Sequence, residues 1–184
     1  PALRLAVDPC VGAGPGGLWA PLFEAHHYMR ADLNQSARCW VVRDADRGDV
    51  VAFESRVSQR GRDAFREHRL VVLPPFQGLG LGPLVSAAVA ALHFDAGILF
   101  YSRTSHPRLA AHRDASDAWR PTQSNGKVPQ ASYLGDRARP GASHVYVGAS
   151  DAARRRFRAR AHARNALALY VADPGYRGGG ARCA

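Results

Sequence analysis

Lysine is almost missing from this sequence: among its 25 basic residues only Lys127 is not arginine. Cysteine is scarce too. Cys10, Cys39 and Cys183 make neither a C-x-x-C pair nor an even set, which excludes a disulfide framework and a cysteine zinc site and suggests a reducing, cytoplasmic setting. No apolar run is long enough to cross a bilayer as a helix. Pro1–Val7 is too short and too soon interrupted to serve as a signal peptide. The eight histidines form no H-x-x-x-H or H-x-E pair, so no metal site is expected. There is no G-x-x-x-x-G-K-[ST] loop and no G-x-S-x-G elbow, which argues against a P-loop hydrolase and an α/β-hydrolase.

What is present is an ordinary globular mixture, 46% hydrophobic over 184 residues, enough for one core. The net charge of +10 is unevenly spread: residues 150–184 hold eight arginines against two aspartates. Any electrostatic case for nucleic acid therefore concerns this tail, densest over Arg154–Arg164. An arginine-rich solvated helix reads the same way.

Hydrophobic periodicity and turn residues give an order of elements. Leu3–Val7 reads as a strand, Asp8–Gly17 as a loop and Leu18–Met29 as a helix. Arg38–Arg43 and Val50–Val57 form a hairpin around Asp44–Asp49. Ser58–Phe65 is a polar connection. Arg69–Leu73 is a strand stopped by Pro74-Pro75, and Pro83–Phe94 is a helix. Ile98–Tyr101 is a strand, His106–Ala115 a short helix and Pro121–Gly141 a loop. His144–Val147 is a last strand, and Asp151 opens a helix to about Ala172, followed by a tail with no pattern. This is an α+β arrangement with one parallel crossover.

Between the strand at 70 and the helix at 83 lies Gln77-Gly78-Leu79-Gly80-Leu81-Gly82. Glycines let the backbone approach an anion, and a helix N-terminus adds unpaired N–H groups and partial positive charge. Strand, glycine loop and helix together suit a pyrophosphate. A tight turn that binds nothing has the same sequence. A second glycine run, Val11–Gly17, matches G-x-G-x-x-G, but Asp8-Pro9-Cys10 separates it from the strand and no repeated βαβ units follow.

The segment Leu70–Gly82 resembles the acetyl-CoA motif of the GNAT N-acetyltransferase superfamily: an apolar strand, a V-x-P step, an aromatic, then Q/R-x-x-G-x-G/A opening a helix. The resemblance covers about Leu3–Gly148. It implies the GNAT fold, a mixed and mostly antiparallel sheet with helices on both faces and a splayed parallel strand pair. It divides the chain into an acyltransferase domain, 1–149, and a basic extension, 150–184. It implies acetyl-CoA as co-substrate and direct attack by a primary amine of unknown identity. Val71, Val72 and Leu73 would pair with the pantetheine arm, with an N–H near Val72 polarising the thioester, and residues 77–82 would cradle the pyrophosphate.

The family often places a catalytic carboxylate where Glu67 stands, with His68 beside it on the opposite face. Either residue could instead pair with a nearby arginine such as Arg66 or Arg69. A tyrosine that often protonates the thiolate is missing; His112 lies near its place, and Ser105 and His106 are near the expected cofactor. His26, His27 and Tyr28 fall where acceptor pockets form. Together with Leu33-Asn34 and Thr104–Pro107 they resemble a bacterial and phage subgroup of the superfamily. Non-catalytic binding of acyl-CoA or nucleic acid, or modification of a nucleic-acid base, are the alternative functions.

Overall fold

The computed structural model describes residues 3–14, 16–28, 32–59, 61–127 and 141–171, with side chains up to 161 in the last helix. Seven strands form one sheet: β1 (Leu5–Cys10), β2 (Arg38–Asp44), β3 (Val50–Ser58), β4 (Ala64–Val72), β5 (Leu99–Thr104), β6 (Trp119–Pro121) and β7 (Ala142–Tyr146). Their order is β1-β2-β3-β4-β5-β7-β6. Only β4 and β5 run parallel, and the helix between them, α1 (Leu81–Asp95), makes the crossover. Two further helices follow, α2 (Pro107–Asp114) and α3 (Asp151–Val171).

Several boundaries differ from the sequence reading, each for a physical reason. β1 continues through Asp8-Pro9-Cys10, which read as loop. It is an edge strand, so the N–H that Pro9 lacks need not be missed by the sheet. The helix expected over Leu18–Met29 is two short turns, a wide one at Trp19–Phe23 and a tight one at Glu24–His26. The second turn ends at His26, and His27 is already extended. β4 begins five residues earlier than expected, at Ala64. Glu67 and His68, read as standing at the strand's start, lie inside it, and Ala64–Arg66 add the pairing to β5. The loop expected over Pro121–Gly141 yields strand β6 at its start, and residues 128–140 lie outside the described set, as does the tail from 172.

The two faces of the sheet are packed differently. One face carries the helices: Val85 and Leu81 of α1 meet Val42, Val51 and Ala52, while Val89, Ala90 and Phe94 meet Phe100, Trp119 and Tyr146. On the other face Trp19 and Phe23, one turn apart, pack on Phe53 with Leu33, Cys39 and Val71. The first turns of α3, beyond residue 149, also belong to the helix face. Phe157 stacks on Phe94 with centroids 4.2 Å apart and planes 10° from parallel, and Arg156 pairs with Asp95.

Candidate functional site

β4 and β5 pair for only three residues, Ala64–Arg66 against Leu99–Tyr101. Beyond that they part, while β4 stays bonded to β3 as far as Ala52↔Val72. The last paired residue of β4 is Arg66, so the separation begins at Glu67. It leaves one edge of β4 without a strand. Leu73 donates its N–H to Val51 on β3 at 2.9 Å. Because strand direction alternates, Val71 faces β3 as well, whereas Leu70 and Val72 turn their backbone groups to the open edge. Of the three residues expected to meet pantetheine, Val72 therefore has the right orientation, and Val71 and Leu73 do not offer backbone groups. Gln77 Nε2 donates to the Val72 carbonyl at 2.9 Å, which leaves the Val72 N–H for an incoming acceptor.

The glycine loop follows directly. Gly78 and Gly80 have φ of 82° and 74°, a region closed to most side chains. A Cβ at either would meet nothing within 4 Å, so the loop's outer surface is open. Gly80 is the N-cap of α1. No side chain caps this helix and no acidic residue sits in its first turn, so its leading N–H groups face outward. Pro83, which has no N–H to leave unpaired, falls within that turn. Ser105 and His106 sit exposed at the far end of β5. His106 is the N-cap of α2: its Nδ1 accepts from Leu109 N–H at 3.3 Å, while its own N–H donates to Thr104 Oγ1.

A bulge in β4 sorts the polar side chains at the fork. The register slips so that Ser55 and Arg56 on β3 oppose Arg69 and Glu67, with His68 inserted. Glu67 points to the helix face and is buried. Its Oε2 accepts from Arg113 Nη2 at 2.7 Å and from Ser86 Oγ at 2.6 Å. Arg113 also donates to Ser86 and to Ser102, and lies over the Trp119 ring at 4.6 Å. Glu67 is thus paired, but with an arginine 46 positions away rather than with Arg66 or Arg69. Glu54 completes the cluster at 0% exposure. Burial, with Glu67 adding to it and Arg113 and Arg56 opposing, pushes its carboxyl well above the usual range.

His68 and Arg69 both turn to the Trp19 face. His68 Nε2 accepts from the Asn34 N–H at 3.2 Å. Burial, together with Arg69, Arg66 and His27, pushes its pKa down to about 4, so the ring is neutral at physiological pH. Arg69 lies near the Trp19 ring, 6.0 Å to centroid, and donates to the carbonyls of His68 and Asp32. His27 packs edge-on against Trp19 and contacts Tyr28 at 4.6 Å. The fold therefore gathers His27, Tyr28, His68 and Arg69, while His26 is exposed beside them. His112 is exposed on α2 and stands apart from both clusters.

Sequence reasoning missed Arg113, Ser86, Ser102, Glu54 and Arg69. Arg113 carried one signal: it follows Leu109 by four residues, which puts it on the same side of α2. The described residues contain no group of three or more His, Cys, Asp and Glu that could hold a metal ion. No described helix is long and apolar enough to cross a membrane.

A mostly antiparallel seven-stranded sheet, one parallel pair that forks, and a glycine loop opening the crossover helix define the GNAT fold. No protein-family model matches the chain, and no curated protein matches its sequence. Solved structures do. The chain is similar to the IAA acetyltransferase from Bacillus cereus ATCC 14579, with a TM-score of 0.54 at 12% identity over 78% of this chain and 99% of that one. A GNAT family acetyltransferase from Elizabethkingia anophelis with acetyl-CoA bound gives 0.53 at 10% identity, covering 77% and 97%. A Bacillus subtilis acetyltransferase in complex with CoA gives 0.52 at 10%, covering 78% and 98%.

Proposed function

We propose that the protein is an N-acetyltransferase that moves the acetyl group of acetyl-CoA to a primary amine by direct attack. The observation that carries this reading is the fork itself. An extended ligand can add to the free edge of β4 as a strand would, bonding at Leu70 and Val72. The pyrophosphate of the same ligand then falls on the uncapped start of α1 and the open glycines at 78 and 80. The thioester oxygen would accept from the Val72 N–H as negative charge develops there. The amine forms the new C–N bond, the C–S bond breaks, and CoA leaves as thiolate.

Neither expected base is free in this geometry. Glu67 is locked to Arg113 on the helix face, and His68 already accepts from Asn34 through Nε2 and holds a proton weakly. We assign both to positioning: Glu67 fixes the fork, and His68 fixes the loop at Asn34. The amine's proton would go to water, and the thiolate needs no dedicated acid, so His112 has no required part. Residues His27 and Tyr28 border the acceptor's approach. Calorimetric titration with CoA tests the reading. Binding that Gly80→Asp removes, with the fold intact by circular dichroism, is the expected result; an unmutated protein that binds no CoA overturns it.

A further inference from the structure

The buried carboxyls at the fork, Glu54 and Glu67, both lie on the helix face, together with the cations Arg113 and Arg56. The opposite face, where the acceptor turn packs, carries cations. β4 contributes Arg66 and Arg69, with the neutral ring of His68 between them. β5 contributes Arg103, whose Nη2 donates to the Lys127 carbonyl, since Phe100 and Ser102 point to the helices. Among the described residues no carboxylate forms a salt bridge with Arg66, Arg69 or Arg103. In the Trp19–Asn34 segment, Asp32 meets Arg69 through its backbone carbonyl and Glu24 forms no such bridge. Arg69 is 8% exposed, and its Nε has no partner. A guanidinium that far from water, bonded only to neutral carbonyls, lacks the anion it is shaped to hold in bidentate fashion. Burial lowers its pKa, Tyr28 partly offsets this and Arg66 adds to it; a bound anion would reverse that cost.

We propose that the acceptor carries an anion of its own, a carboxylate or phosphate held by Arg69, so that the site takes small amino-acid-like amines and turns away polyamines. This rests on the acetyl-transfer reading. The positive face repels a polycation and concentrates an anion, and Arg69, one residue past the bulge, anchors the acceptor beside the open edge of β4.

The test pairs amines that differ only in the anion. Acetyl-CoA turnover is measured with tyrosine against tyramine, phosphoethanolamine against ethanolamine, and spermidine. Binding of N-acetyltyrosine and N-acetyltyramine to the CoA-loaded protein is measured alongside. The anionic member should be favoured by about tenfold or more in kcat/KM and in affinity, with most of the turnover difference in KM. The first pair scores carboxylate and the second phosphate. Arg69→Met should reduce the preference to about one without changing CoA affinity, and Arg69→Lys should restore part of it. Preference for spermidine or the neutral partners, or a preference that survives Arg69→Met, overturns the inference while leaving acetyl transfer standing. Should no amine be acetylated, the transfer reading fails, and the two N-acetyl compounds still decide whether Arg69 selects an anion.

Discussion

Arg113, near the end of α2, grips Glu67 of β4 at 2.7 Å at the first residue beyond the last β4–β5 pair, Arg66↔Tyr101. The ion pair spans the fork at its root. Ser102 of β5 and Ser86 of α1 bond to the same two groups, so one cluster links both splayed strands to the crossover helix. Asp114, next in the chain, bonds to buried His144 of β7 and holds α2 from the other side.

Breaking the pair should be costly. Arg113→Leu leaves Glu67 buried without its cation beside buried Glu54, and removal of one partner from a buried pair typically costs about 3–5 kcal/mol. Urea unfolding should show a loss of that order, with weaker CoA binding in whatever folds. A loss below about 1 kcal/mol would mean the pair is not the anchor described.

Glu67→Gln separates anchoring from base catalysis. Gln keeps the hydrogen-bonding shape and removes the charge. An anchor predicts a higher KM for acetyl-CoA and a pH–rate profile of unchanged shape. A base predicts kcat lower by about a hundredfold and loss of the acidic limb.

Two buried groups should shape stability against pH from opposite sides. Glu54 is raised above its ordinary value of 4.5. Its contribution is complete below that value and is lost as pH rises through the folded pKa. His68 falls from 6.5 to about 4. Its contribution is complete above 6.5 and is lost as pH falls towards 4. Urea midpoints measured across pH should therefore flatten on the alkaline side in Glu54→Gln and on the acid side in His68→Gln. Cys10 and Cys39 titrate above their ordinary 9.0 and do not interfere near neutrality.

The sequence showed the fork's chemistry more clearly than its framework. Gln77, Gly78 and Gly80 are local: positive φ and a helix start are written in adjacent residues, and they sit where expected. The partners of Glu67 were opaque because Arg113, Ser86 and Ser102 reach it only after three elements pack. Pro9 read as a loop residue since nothing in the sequence says β1 is an edge. The Leu18–Met29 helix was overextended because Leu18, Leu22 and Phe23 do have helical spacing, while the chain is already extended at His27. Arg69 was weighed only as a partner for its neighbours, and the bulge that turns it beside His68 has no sequence mark.

The place of α3 can be measured. Phe157→Ala should lower stability by about 2 kcal/mol, from lost burial and the lost stack on Phe94. Truncation after Ser150 should cost at least as much and leave CoA affinity in the surviving folded protein unchanged, since α3 packs on the C-terminal end of α1, at Phe94 and Asp95. A truncated chain with full stability would make the stack irrelevant.

The central claim is a fork that delivers acetyl-CoA to an amine. Its most direct test is to incubate the full chain with acetyl-CoA and a carboxylate-bearing primary amine, and to follow thiol release and acetylated amine together. The account predicts one thiol per acetylated amine, release that depends on the amine, and loss of both signals in Gly80→Asp. Acetyl-CoA that neither binds nor yields thiol with any amine would contradict it.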